Sequence, residues 1–168
     1  MPRKLQVALG VVFLISLAHS LAAAQTEGEW QVRFDRETNS VRKAKMLEKL
    51  GDAQFEEARE AGKNGDNNTV GLIMEKYRDN ARAAFEALKK QHPDAERHSN
   101  GYRQMEMHLK QGIREVEDSM LAAPDPFKPP LQIVRQDLIA MDDELIHMLF
   151  PQRPAERKPT APPPEKQP

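Results

Sequence analysis

The pattern that sets the predicted fold lies in the stretch NNTVGLIMEKYRDNARAAFEALKKQ, residues 67–91. Its apolar side chains recur every three or four residues, which is the spacing of one face of an α-helix. The face spans about 120°, and charged residues cover the rest of the helix. Its members are Val70, Ile73, Met74, Tyr77, Ala81, Ala84, Phe85 and Leu88. A single helix cannot bury such a face by itself, so the pattern predicts partner helices packed around it.

Three further stretches carry the same helical spacing. They predict helices from between Asp35 and Ser40 to about Gly62, from Ser99 or Asn100 to about Ala122, and from Pro130 to about Phe150. Glycine, asparagine and proline separate them, and no stretch alternates as a β-strand does. The sequence therefore predicts an all-α fold of four long helices, arranged as a bundle or as two antiparallel helical hairpins. Residues 25–33 are expected to be an irregular leader that docks Trp30 or Phe34 on the helices.

The two ends of the chain differ from its middle. Residues 1–24 combine Arg3 and Lys4 with a short apolar run and an Ala-x-Ala site, which predicts a signal peptide cleaved before Gln25. The alternative is a signal anchor that is retained. Residues 25–150 form the predicted helical domain, and residues 151–168 are expected to be a disordered, proline-rich tail. The predicted location is exported, either periplasmic or secreted.

The composition excludes several classes of function. The chain has no cysteine, so disulfides, thiolate catalysis and covalent haem attachment are excluded. It has 25 basic and 26 acidic residues without a block of either sign, which argues against nucleic acid or an anionic membrane surface as the partner. After cleavage of the signal peptide we expect no stable membrane span.

A metal site is the sharpest chemical hypothesis that the sequence offers. The run MEMH contains Met105, Met107 and His108, and His147 with Met148 lies near the end of the last helix. Thioether and imidazole ligands together suit copper(I). However, Met105 and Met148 occupy core positions, and His108 lies at the flank of its helical stripe. We therefore predict that the chain has no metal and no cofactor.

Catalytic carboxylates are also weakly indicated. Adjacent acids occur at Glu56-Glu57 and at Asp142-Asp143-Glu144, but consecutive residues on a helix point apart. The chain lacks the Gly-x-Ser-x-Gly, His-Glu-x-x-His, phosphate-loop and dinucleotide-binding patterns. We read these acids as solvated surface residues and predict that the protein is not an enzyme.

Four blocks of the chain resemble a group of exported bacterial proteins. These blocks are KAKMLEKLGDAQFEEAREAGKNGD, EKYRDNARAAFEALK, GYRQMEMHLKQGIREVED and IVRQDLIAMDDELIHMLFPQRP. They are similar to helical-hairpin domains of unknown function found in soil bacteria, over about residues 34–154. The resemblance implies a helical fold and export, and it implies no activity and no site residues.

The last predicted helix has an unusually wide apolar face. Ile139, Ile146 and Phe150 extend it beyond the residues expected to face the core. We expect this widened face either to be buried in the protein or to contact a partner. The favoured function is a non-enzymatic protein–protein interaction or structural module of the cell envelope, with a protein partner or self-association. The alternative is a periplasmic helical chaperone or stress sensor, which includes the case of a metal-responsive one.

Overall fold

A computed structural model describes residues 27–151, which form five helices and one short 3₁₀ turn. Helix α1 covers residues 27–36, α2 covers Ser40–Lys63, α3 covers Asn67–Gln91, α4 covers Ser99–Ala122 and α5 covers Lys128–Leu149. The 3₁₀ turn, Asp125–Phe127, immediately precedes α5. No strand occurs within residues 27–151, so the predicted all-α class and four long helices are confirmed. The predicted signal peptide and, apart from Pro151, the predicted tail lie outside the described residues.

The helices begin and end where the sequence signals stand. The side chain of Asn39 accepts a hydrogen bond from the backbone of Arg42 at the start of α2, and Asp66 accepts one from Thr69 at the start of α3. Gly65 lies between these helices with φ 74°, a backbone conformation that favours glycine. The short turn makes α2 and α3 an antiparallel hairpin, as predicted.

The expectation that residues 25–33 are irregular is wrong, because residues 27–36 are helical. Tertiary contacts hold this helix in place. Glu27 pairs with Lys76 of α3 at 2.8 Å, and the amides of Gln31 and Asn80 exchange two hydrogen bonds of 3.0 Å. Phe34 is buried, which confirms the predicted docking of this segment. Such pairs join residues far apart in the chain, so helical periodicity alone does not reveal them.

The four long helices form two antiparallel hairpins, α2–α3 and α4–α5, packed against each other. Gln111 of α4 donates a hydrogen bond to Asp52 of α2. Arg59, two turns further along α2, pairs with Glu115, which is one turn further along α4. Helices α2 and α4 are therefore parallel neighbours. The pairs Arg82–Asp137 and Lys89–Glu144 show the same for α3 and α5. Both forms of the fold prediction thus describe this protein: it is a bundle made of two hairpins.

Two glycines let the hairpins approach closely around Tyr77. This side chain is fully buried, its ring lies 4.6 Å from the ring of Phe55, and its hydroxyl donates a 3.0 Å hydrogen bond to the carbonyl of His108. A Cβ atom at Gly112 would lie 2.6 Å from Cζ of Tyr77, and one at Gly51 would lie 3.0 Å from its Cε2. A side chain at position 51 or 112 would therefore overlap with the space that the ring of Tyr77 occupies.

Candidate interaction site

The helices form three layers, and the outer side of the last layer is the candidate site. On α3, Lys76 and Asn80 contact α1, whereas Arg78 and Arg82 contact Asp137 of α5. At about 100° per residue these two pairs lie on opposite flanks of α3. The order is therefore α1, then the α2–α3 hairpin, then the α4–α5 hairpin. Helix α1 covers the outer side of the first hairpin, and no described helix covers the outer side of the second.

The predicted residues Ile139, Ile146 and Phe150 lie along this uncovered side. Arg135 pairs with Glu117 of α4, which fixes the direction of this flank of α5, and positions 135, 139, 142 and 146 share one face of a helix. Ile139 and Ile146 are half-buried, and Phe150 is 64% exposed. We call this surface the open face and define it by Ile139, Asp142, Ile146 and Phe150, together with Glu106 and Lys110 of α4.

A cluster of charged residues lies between the two isoleucines. Lys110 forms an ion pair with Glu106, one turn before it on α4. Asp142 of α5 lies close enough for both side chains to influence its pKa. Asp142 is only 9% exposed, and its Oδ1 atom has no hydrogen-bond partner among the described residues. Burial raises the pKa of Asp142; Lys110 opposes this shift, while Glu106 and Asp143 add to it.

The burial of Asp142 contradicts the reading of residues 142–144 as solvated surface. The signal was present in the sequence, because Asp142 follows the core residue Leu138 by four positions and precedes Leu145 by three. This spacing places it on the edge of the buried stripe. The reading of Glu56 and Glu57 needs a smaller change: Glu56 pairs with Arg59 at the surface, whereas burial raises the pKa of the half-buried Glu57, with a contribution from nearby Glu27.

The residues of the metal hypothesis are not brought together. Met105 is fully buried in the core, Met107 is 70% exposed, and His147 lies on the exposed side of α5. His108 is buried rather than at a flank, packed against the rings of Phe55 and Tyr77. Within residues 27–151 no group of three or more His, Cys, Asp or Glu side chains is arranged to hold a metal ion.

His108 forms the floor of a polar groove between α2 and α4. The groove has a volume of about 300 Å³, and its walls include Glu48 and Asp52 of α2 and Arg114 of α4. Nε2 of His108 lies against Gly51 and has no hydrogen-bond partner among the described residues. Burial lowers the pKa of His108, and this effect exceeds the opposing influence of Asp52, Gln111 and Glu48. Burial in the joint between the hairpins therefore favours the neutral form of this ring.

A second groove lies near the α2–α3 turn. It has a volume of about 390 Å³, and small residues such as Ala58, Gly62 and Ser119 form much of its wall together with Val70. Arg59, which pairs with Glu56 and Glu115, lies at its edge. The hydroxyl of Ser119 in the second groove donates a 2.8 Å hydrogen bond to the backbone carbonyl of Glu115 and not to a side-chain base. We therefore take the open face as the candidate site.

Comparisons with known proteins add no further candidate for the site. No protein-family model matches the chain, and neither the curated proteins nor the solved structures provide a match. The resemblance to exported helical-hairpin domains therefore stays a prediction. None of the helices within residues 27–151 is both long and apolar enough to cross a membrane.

Proposed function

We propose that this protein is a non-enzymatic interaction module of the cell envelope, which binds a protein partner through the open face. The layered packing of the helices is the observation that supports this proposal. Helix α1 shields the outer side of the first hairpin and buries Phe34 there, whereas the equivalent side of the second hairpin presents Ile139 and Ile146 half-buried and Phe150 exposed. An apolar strip of this kind, flanked by charged residues, is typical of an interface.

The proposed contact uses few residues. Ile146 lies in the middle of the strip, and Phe150 lies at its end as the residue that follows α5. Side chains near the centre of an interface carry most of the binding energy, and aromatic residues are frequent among them. A partner that buries Ile146 and Phe150 would remove their apolar surface from water, which is the main driving force for association.

Replacing Ile146 by glutamate is expected to reduce the amount of partner recovered with the protein by at least about tenfold, because a charge would be buried at the centre of the contact. The measurement is chemical cross-linking in the cells that produce the protein, followed by mass spectrometry of the purified complex. Circular dichroism of each variant checks that the helices are retained.

The matched control is Ile133→Glu. Ile133 is on the same helix and 56% exposed, but it lies outside the open face, so this variant should retain the partner. Phe150→Glu provides a second test at a position where unfolding is not expected, since this side chain is 64% exposed. Equal recovery with Ile146→Glu, Phe150→Glu and wild type would contradict the proposed function. Unfolding of Ile146→Glu alone would show that Ile146 belongs to the core and would leave Phe150→Glu to decide.

A further inference from the structure

The open face lacks one positive charge at its centre. Within residues 27–151, Lys110 is the basic residue whose charge acts on Asp142, and Lys110 forms its ion pair with Glu106. Asp142 therefore keeps a buried Oδ1 atom without a hydrogen-bond partner among the described residues. Asp143, exposed next to it on α5, adds further negative charge. Burying a carboxylate without a partner costs free energy, and a donor with a positive charge offsets this cost best.

The surroundings of Asp142 restrict what can supply that charge. Ile139 and Ile146 lie one turn away on either side, so the donor must be carried on a group that also packs against apolar surface. Lysine and arginine have this property, because their long stems are apolar and their ends are charged. Phosphate groups of membranes or nucleic acids would be repelled by the three carboxylates of this cluster, Glu106, Asp142 and Asp143.

The first hairpin shows the same type of contact within the protein. There α1 lies against α2 and α3, its Phe34 is buried, and an ion pair of 2.8 Å joins its Glu27 to Lys76 of α3. Gln54 of α2 also donates a hydrogen bond to Glu27. A helix thus docks on a hairpin by combining an apolar anchor with one acid–base pair. On the second hairpin the acid belongs to the hairpin itself, so the base has to come from the partner.

We propose that the open face binds a helical segment of another protein whose apolar stripe contains a lysine or arginine that pairs with Asp142. This inference rests on the proposed function and names the chemistry of the partner. The partner helix would pack its apolar residues on Ile139 and Ile146 and direct its basic side chain between them. Pairing would place a positive charge against the part of the Asp142 carboxylate that is still accessible and add geometric specificity to a contact that is otherwise apolar.

The test uses two synthetic helical peptides and the full chain. Both peptides have a stripe of leucines; one carries a lysine at the centre of the stripe, and the other carries norleucine there. We expect the lysine peptide to bind the wild-type chain at least about tenfold more tightly than the norleucine peptide, as measured by fluorescence anisotropy. Asp142→Asn should weaken binding of the lysine peptide by a similar factor and change binding of the norleucine peptide little.

Asp143→Asn is the matched control, because it removes a carboxylate from the adjacent exposed position and should reduce the preference for lysine far less than Asp142→Asn does. Asp142→Asn should also be folded and at least as stable as wild type at pH 7, since burial disfavours the charged form of Asp142. This gain in stability should shrink as the pH falls through the titration of the carboxyl group, because wild type then becomes neutral as well. Thermal unfolding at several pH values measures it.

Several outcomes would overturn this inference. Equal binding of both peptides, or loss of both on Asp142→Asn, would show that the basic residue is not recognised. Binding to vesicles of anionic lipid that is lost in Ile146→Glu would assign the open face to a membrane. A dimer in native mass spectrometry that Ile146→Glu converts to monomer would assign it to a second copy of the chain. If Ile146→Glu abolishes cross-linking of the natural partner while Asp142→Asn does not, the chemistry of the partner is wrong and the proposed function stands.

Discussion

Replacing Gly112 by alanine is expected to lower the free energy of unfolding by about 3 kcal/mol, although alanine is the better helix former. The added Cβ atom would lie 2.5 Å from Oη and 2.6 Å from Cζ of Tyr77, a side chain that is fully buried. The ring would have to move, and its hydrogen bond to the carbonyl of His108 would be distorted. Urea denaturation followed by circular dichroism measures the change.

Gly71→Ala is the matched control for this substitution. Gly71 lies inside α3, and a Cβ atom there would meet nothing within 4 Å. Alanine at this position should raise the free energy of unfolding by about 0.5–1 kcal/mol through helix propensity alone. The two substitutions are chemically identical and should have opposite signs. If Gly112→Ala were also stabilising, Tyr77 could not lie between the hairpins as described.

A double-mutant cycle identifies the ring of Tyr77 as the cause. Tyr77→Leu removes the atoms that an alanine at position 112 would overlap. In this background Gly112→Ala should cost about 1 kcal/mol or less, so the two substitutions should be strongly non-additive. Additive effects would indicate that alanine at position 112 acts through the backbone of α4 and not through Tyr77.

The positions of the long helices follow from the sequence because burial and periodicity agree there. All eight residues of the stripe on α3 are buried, and α4 begins at Ser99 and ends at Ala122 as predicted. Turn residues fix the boundaries locally: Gly65 adopts a positive φ, and Pro93 follows closely after the end of α3. Each of these signals acts over a few residues, so one sequence is sufficient to recognise it.

The remaining features depend on pairs of residues far apart in the chain. An ion pair between Glu27 and Lys76 and hydrogen bonds between Gln31 and Asn80 hold helix α1 in place. Neither pair is indicated by the local sequence. The spacing from Leu138 and Leu145 places Asp142 at the edge of the buried stripe, but only the packing of α5 on α4 brings Glu106 and Lys110 close to it. Likewise, the parallel packing of α2 on α4 places His108 against Gly51, whereas the pattern of α4 alone put this histidine at a flank. The open face could therefore be predicted as a set of residues, but its charged centre could not.

His108 is expected to make the stability of the protein depend on pH below neutrality. Burial holds the pKa of this histidine below its ordinary value of 6.5, so the unfolded chain takes up the proton more readily than the folded one. Its contribution to stability is therefore complete above pH 6.5 and is lost as the pH falls below that value. The loss can reach about 1.4 kcal/mol per pH unit until the histidine of the folded protein is protonated as well.

The test compares His108→Gln with wild type between pH 7.5 and pH 5, because glutamine stays neutral throughout. The variant should lose stability at pH 7.5 through poorer packing against Phe55 and Tyr77, and this loss should shrink as the pH falls. Only the change of this stability difference with pH tests the role of His108. The raised pKa values of Glu57 and Asp142 have the opposite effect on stability, and this effect is the same in wild type and variant.

His147→Gln is the control for this comparison, because His147 is exposed on α5 and lies outside the joint between the hairpins. The ionisable side chains near His108 are the acids Glu48 and Asp52 on α2, Tyr77 on α3, and Arg114 in the same groove on α4. If the two acids stabilised the protonated ring more than burial disfavours it, wild type would gain stability over His108→Gln on acidification. That result would mean that His108 is charged in the folded protein, and the joint between the hairpins would then be an ion pair instead of an apolar contact.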